Sequence, residues 1–154
     1  MFKFITISLS IFLFGCSSIN HTLPPEKTSN KEQQINKTSI FYYYVNPVRQ
    51  AQSAAVVEGK FAWKDGCIYL IGKDGIYNTA MFPLYPKGIV QWDESSKTLN
   101  LNGRVYKMGD SISTNGQYSD YVPNSPIGRE YEAQGDKNCL NPTMALIGTM
   151  GIEN

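Results

Sequence analysis

Across residues 55 to 110, apolar and polar positions alternate in short runs separated by glycine-bearing turns. This is the period-two pattern of half-buried strands, not the 3.6-residue recurrence of an amphipathic helix. Val57, Gly59, Phe61 and Trp63 alternate with Glu58, Lys60 and Ala62, which predicts a strand with one face inward. Lys64-Asp65-Gly66 then turns the chain into Cys67-Ile68-Tyr69-Leu70-Ile71, a run apolar on both faces and therefore expected at the centre of a sheet. Lys73-Asp74-Gly75 predicts a second turn into a strand over residues 76–82, stopped by Pro83 and Pro86. Ile89-Val90-Gln91-Trp92 reads as a further strand closed by the polar turn Asp93-Glu94-Ser95-Ser96. Asn102-Gly103 is the sharpest local signal, because these residue types supply the two positive φ values of a type I′ hairpin. That register sets Leu99 opposite Tyr106 and Leu101 opposite Arg104, so Leu99, Leu101, Tyr106 and Met108 share a face with Arg104 at the rim.

Flanking segments extend the pattern. Residues 40–45 (Ile-Phe-Tyr-Tyr-Tyr-Val) predict a first strand, residues 49–55 a helical turn, and residues 111–114 a strand after the Gly109-Asp110 turn. Residues 115–136 read as a polar loop punctuated by Gly and Pro, and residues 143–149 as a last strand that closes the sheet. Six or more short strands spaced about ten residues apart predict an all-β domain, a small antiparallel barrel or sandwich. Gly59 and Phe61 in one strand, the Gly66-Cys67 strand start, the Pro-containing link and the Gly109-Asp110 turn follow an order similar to that of small OB-like extracytoplasmic domains of unknown function. The resemblance spans residues 55–149 and implies a fold without an activity.

The amino terminus follows different rules. One positive charge, Lys3, precedes an apolar run of about eleven residues, too short for the roughly twenty that a membrane-spanning helix needs but suited to a secretory signal. The run ends in Leu13-Phe14-Gly15-Cys16, which resembles the lipobox of bacterial lipoproteins, although Phe14 replaces the usual small or β-branched residue. The resemblance implies removal of residues 1–15, attachment of diacylglycerol and a further acyl chain to Cys16, and retention at a membrane. Ser17 and Ser18 follow in place of the Asp that signals inner-membrane retention in that family, so the outer membrane is the implied location. Two or more acyl chains make such anchoring stable, at about 0.8 kcal/mol per buried methylene. From the lipidated Cys16 to residue 39 the composition is polar, with Pro24-Pro25 and no periodicity, and predicts a flexible tether. Residues 40–154 form the expected β domain, about one domain's length.

Composition narrows the chemistry. Lys plus Arg number 14 and Asp plus Glu 13, and loss of Lys3 with the signal leaves 13 of each. No basic cluster accompanies this neutrality, which argues against nucleic acid as a partner. The single histidine, His21, falls in the tether, so the β domain contains none. A Ser-His-Asp triad, a His-based metallohydrolase and a Cys-His protease are thereby excluded. With Cys16 acylated, Cys67 and Cys139 remain, and in an oxidising compartment they are expected to form an intradomain disulfide. The competing readings, a two-cysteine metal site or a catalytic thiol, lack their customary histidine partners.

These readings point to a membrane-anchored lipoprotein with a non-catalytic domain that binds a protein or polymer of the cell envelope, in the periplasm or at the cell surface. Its expected partners are the bilayer, through acylated Cys16, and that envelope component; no cofactor or metal is expected beyond the covalent lipid. The candidate binding residues are Tyr42, Tyr43, Tyr44, Tyr118 and Tyr121, since tyrosine stacks on sugars and anchors interfaces; alternatively they fill the core. Two other functions remain open: an inhibitor of a lysozyme-like enzyme that uses residues 115–136 as a wedge, and a cell-wall glycosidase built on Asp93 and Glu94 or on Glu130 and Glu132.

Overall fold

The computed structural model describes residues 37–46 and 55–151; Cys16, the signal, most of the tether with His21, and all but the last residue of the predicted turn at 49–55 lie outside the described residues. Nine strands are described: β1 (Phe41–Tyr43), β2 (Val56–Lys64), β3 (Cys67–Ile71), β4 (Tyr77–Pro83), β5 (Val90–Asp93), β6 (Thr98–Leu101), β7 (Arg104–Lys107), β8 (Ser111–Asp120) and β9 (Thr143–Gly151). One helix, α1 (Pro126–Glu132), and a short 3₁₀ helix (Lys137–Cys139) lie between β8 and β9.

Five strands close on themselves. β3 pairs with β2 and β4, β2 with β8, and β8 with β9, all antiparallel, and β9 returns beside β4 in parallel register with Ala80 opposite Ala145. This is a small barrel of the OB-like kind expected from the sequence, and closure leaves these strands few unpaired edges. Gly59 and Gly116 permit the tight curvature. A Cβ on Gly59 would collide with the Ile71 carbonyl and the Leu70 side chain, and one on Gly116 with the Leu146 carbonyl and Val57.

The barrel interior follows the predicted alternation. Val57 and Phe61 of β2, Ile68 and Leu70 of β3, Ala80 and Phe82 of β4, Ile112 of β8, and Ala145 and Ile147 of β9 form one buried cluster. A second sheet, β5-β6-β7, is inserted between β4 and β8. It delivers Leu99, Leu101 and Tyr106 to the same cluster, and Tyr106 meets Phe61 edge-on at 5.2 Å between centroids. The hairpin register is as read from Asn102-Gly103: Leu99 pairs with Tyr106 and Leu101 with Arg104, with φ of 51° and 84° at the turn.

The segment at residues 115–136 is a correction. It is not one loop: residues 115–120 continue β8 past an irregularity between Thr114 and Gly116, because β9 pairs with them as far as Asp120 and Thr143. Buried Asn115 accepts the Met150 N–H at 2.9 Å and so satisfies the backbone there. Beyond Val122, Ser125 caps α1 by accepting the Gly128 N–H at 2.9 Å, and Pro126 opens the helix, where its missing N–H costs nothing.

The domain also starts earlier than the apolar pattern suggests. Thr38 is buried, and Ser39 donates its N–H to the Gly66 carbonyl and bridges to Cys67. β1 then adds to β4 in parallel, and the Gln134 side chain serves its other edge by donating to the Tyr42 carbonyl and accepting the Tyr42 N–H.

Candidate functional site

OB-like barrels take up oligonucleotides and oligosaccharides on the outer face of their second and third strands, between the first and last connecting loops. Here those strands are β3 and β4, and most of that face is covered. Phe41 of β1, Tyr131 of α1, and Cys139 and Leu140 beyond it bury Tyr69, Met81 and Met144 in a second apolar cluster. The Cys67–Cys139 disulfide, with Cα atoms 5.3 Å apart, fastens the cover to the start of β3. Thr79 strengthens it by donating its hydroxyl to the Cys139 carbonyl and accepting the Asn141 N–H, both at 2.8 Å. What remains open is a polar cavity of 530 Å³ bordered by Asp65, Tyr69, Tyr77, Asp136, Asn138 and Asn141.

A larger opening lies on the far side of β2. Its outward residues Glu58 and Lys60 pair across the sheet with Ser113 and Ser111 of β8, and Lys60 also pairs with Ile71 of β3. With Gly72, Lys73 and Arg104 these residues line a groove of 680 Å³. A second groove of 450 Å³ shares Glu58, Gly72 and Lys73 and runs to Val56, Ile76, Asn78, Tyr118 and Thr143, at the barrel end where β2 and β9 begin. Val56, Ile76 and Tyr118 are each about half exposed. One trough therefore joins a cationic half to an aromatic and aliphatic half. Lys73 pairs with Glu58 at 2.6 Å, which raises the Lys73 ammonium above its ordinary range through the hydrogen bond and charge of that carboxylate. Tyr118 donates its hydroxyl to the Glu58 carbonyl at 2.9 Å, leaving the ring half exposed. Burial is the largest influence on that hydroxyl and raises its pKa.

The five tyrosines singled out from the sequence do not form one surface. Tyr42 and Tyr43 are half-buried in β1, and the Tyr43 hydroxyl donates to the Ile147 carbonyl at 3.1 Å. Tyr44 is exposed and meets Tyr85 edge-on at 6.4 Å. Tyr121 donates to Glu132 at 2.7 Å, a bond that holds the carboxyl below its usual range and the phenol above. Only Tyr118 lines the trough. Lys60, Arg104, Ser111 and Ser113 were not marked by sequence reasoning, although the alternation that put Phe61 inward also put Lys60 outward.

The four acids weighed as a catalytic pair are occupied differently. Asp93 accepts the N–H groups of Ser95 and Ser96 and the Ser95 hydroxyl, and these bonds hold its carboxyl down at about 2. Burial would raise Glu94, but bonds from Lys97, from the Thr38 hydroxyl and N–H, and from the Trp92 indole outweigh it and set its pKa at about 2. Glu132 is committed to Tyr121 and to the Asn124 N–H, while Glu130 is exposed on α1. Donors aimed at Asp93, Glu94 and Glu132 favour the ionised form, the opposite of the raised pKa a general acid requires.

Among the described residues no group of three or more His, Cys, Asp or Glu is placed to hold a metal ion, and no helix is long and apolar enough to cross a membrane. No protein-family model, curated protein or solved structure matches the chain.

Proposed function

We propose that the chain is a lipoprotein of the cell envelope, anchored through acylated Cys16, whose OB-like barrel binds an envelope component at the trough of β2 and β8 without catalysing its conversion. Anchoring is supported by Leu13-Phe14-Gly15-Cys16 at the end of a short apolar run and by the polar stretch that follows. Binding is supported above all by one observation: two adjoining openings along β2 bring Lys60 and Arg104, which form no ion pair among the described residues, to the same trough as the half-exposed Tyr118 ring. An open trough of this shape suits an extended ligand, whereas small molecules favour enclosed pockets.

The test is crosslinking and affinity capture of the full chain from intact cells, with mass spectrometry of its amino terminus and membrane fractionation of the Cys16→Ser variant. A lipid-bearing Cys16, loss of Cys16→Ser from the membrane fraction, and crosslinks from the trough to an envelope component are expected. Retention of residues 1–15, or unchanged fractionation of Cys16→Ser, overturns the anchor. Absence of any crosslink at the trough overturns the binding role.

A further inference from the structure

Three cations, Lys60, Lys73 and Arg104, line the larger groove against a single carboxylate, Glu58, and that carboxylate is taken by Lys73. Lys60 and Arg104 form no ion pair among the described residues. Arg104 instead lies over the Tyr106 ring, 5.3 Å from its centroid, which holds the guanidinium at the groove wall. The excess charge is thus local, on a chain whose net charge is only +1. The outward residues Ser111, paired with Lys60, and Ser113, paired with Glu58, line the same groove and can donate and accept hydrogen bonds.

We propose that the trough binds an acidic glycan, its carboxylate or phosphate groups held by Lys60 and Arg104 and a neighbouring sugar ring laid on Tyr118. This inference rests on the binding role proposed above and names its ligand class. The arrangement fits that chemistry at three points. An anion meets two cations that no carboxylate among the described residues neutralises. Hydroxyl-rich sugar edges meet Ser111, Ser113 and the Thr143 hydroxyl. The apolar face of a pyranose meets a half-exposed aromatic ring whose hydroxyl is already satisfied by the Glu58 carbonyl, so stacking desolvates no orphaned polar group. An acidic peptide would use the cations but has less use for a hydroxyl-lined wall.

The experiment measures binding of the full acylated chain, in detergent micelles, to oligogalacturonate, with neutral dextran oligomers and polyglutamate as comparison probes. Oligogalacturonate is expected to bind, to weaken as salt rises, and to weaken about tenfold or more in Lys60→Glu/Arg104→Glu. Tyr118→Ala is expected to weaken oligogalacturonate binding while leaving its salt dependence intact. Both variants change exposed side chains, and circular dichroism with thermal unfolding verifies that they fold. Absence of oligogalacturonate binding, equal binding of dextran, or affinity unchanged in both variants overturns the proposal, and so does tighter binding of polyglutamate, which assigns the trough to an acidic peptide. Trough crosslinks to a protein from intact cells, together with no oligogalacturonate binding, would remove the glycan and leave the binding role standing.

Discussion

Cys67 and Cys139, 72 residues apart in sequence, are joined by a buried disulfide that fixes the segment after α1 against the first residue of β3. A crosslink closing a loop of this length removes denatured-state entropy worth about 4 kcal/mol in the chain-entropy account, and native disulfides of small domains typically contribute about 2–5 kcal/mol. The double substitution Cys67→Ser/Cys139→Ser should therefore lower unfolding free energy by about 2–4 kcal/mol, measured in urea. Because Tyr131 of α1 belongs to the same cover over Tyr69 and Met81, the variant should also gain fast amide exchange in α1 before global unfolding. Exchange in α1 that stays at the global rate would show that apolar packing alone holds the cover.

Gly59 bears on barrel closure itself. Its missing Cβ leaves room for the Ile71 carbonyl and the Leu70 side chain, one of them backbone that cannot step aside without disturbing the β2–β3 ladder. Gly59→Ala should destabilise by about 1–3 kcal/mol, the usual cost of overpacking a close contact. Chemical denaturation measures this, and a stability equal to or above that of the parent would mean that β2 bends for another reason.

What was legible in the sequence was local. Asn102-Gly103 fixes a hairpin because two residues set the turn and the turn sets the register, and Val57 to Trp63 fixes an inward face because side chains alternate along any strand. Closure through β4 and β9 joins residues as distant in sequence as Ala80 and Ala145, and no periodicity within either strand announces it. Polar Asn115-Gly116-Gln117 resembles a loop because its strand character comes from pairing with β9 and not from its own side chains. The helix α1 is only seven residues long and shows no apolar stripe, although Ser125-Pro126 carried a start signal. Lys60 and Arg104 line one groove only because the barrel wall and the inserted hairpin come together. Tyr42, Tyr43, Tyr44, Tyr118 and Tyr121 suggested a binding surface, but tyrosine serves equally at the rim of a core, as Tyr43 does.

Tyr43 yields an alkaline prediction. Burial pushes its hydroxyl up from 10.0 to about 12. The folded protein thus keeps a proton that the unfolded chain releases near pH 10, and stability falls as pH rises from about 10 towards 12. Tyr43→Phe should reduce that fall, while costing about 1 kcal/mol at neutral pH through loss of the bond to the Ile147 carbonyl. Other tyrosines raised by burial, Tyr42 and Tyr131 among them, should leave part of the slope in place. Urea unfolding of both proteins at pH 7 and across pH 9–11 separates the two effects, and identical alkaline slopes would show that Tyr43 ionises as freely folded as unfolded.

At the acid end the deciding group is Glu94, which gathers Thr38, Trp92 and Lys97, while Trp63 donates its indole N–H to the Thr38 hydroxyl at 2.9 Å and receives the Lys97 ammonium 4.4 Å from its ring. This cluster ties the first described residues of the domain to the β5–β6 hairpin. Glu94 ionises at about 2 when folded against an ordinary 4.5, so between those values the unfolded chain binds more protons. Stability contributed by the charged carboxylate is complete above about pH 4.5 and is lost as pH falls towards 2. Glu94→Gln should destabilise at pH 6 and should flatten the decline of melting temperature between pH 5 and pH 2, with Asp93, held at about 2 by its own turn, supplying the slope that persists. Proteolysis should then cut the variant near Thr38 faster than the parent, since one neutral acceptor oxygen in place of two charged ones holds the Thr38 N–H and hydroxyl more weakly; a cleavage rate equal to the parent's would mean that Ser39 pairing to Gly66 is enough to seat the chain on the barrel.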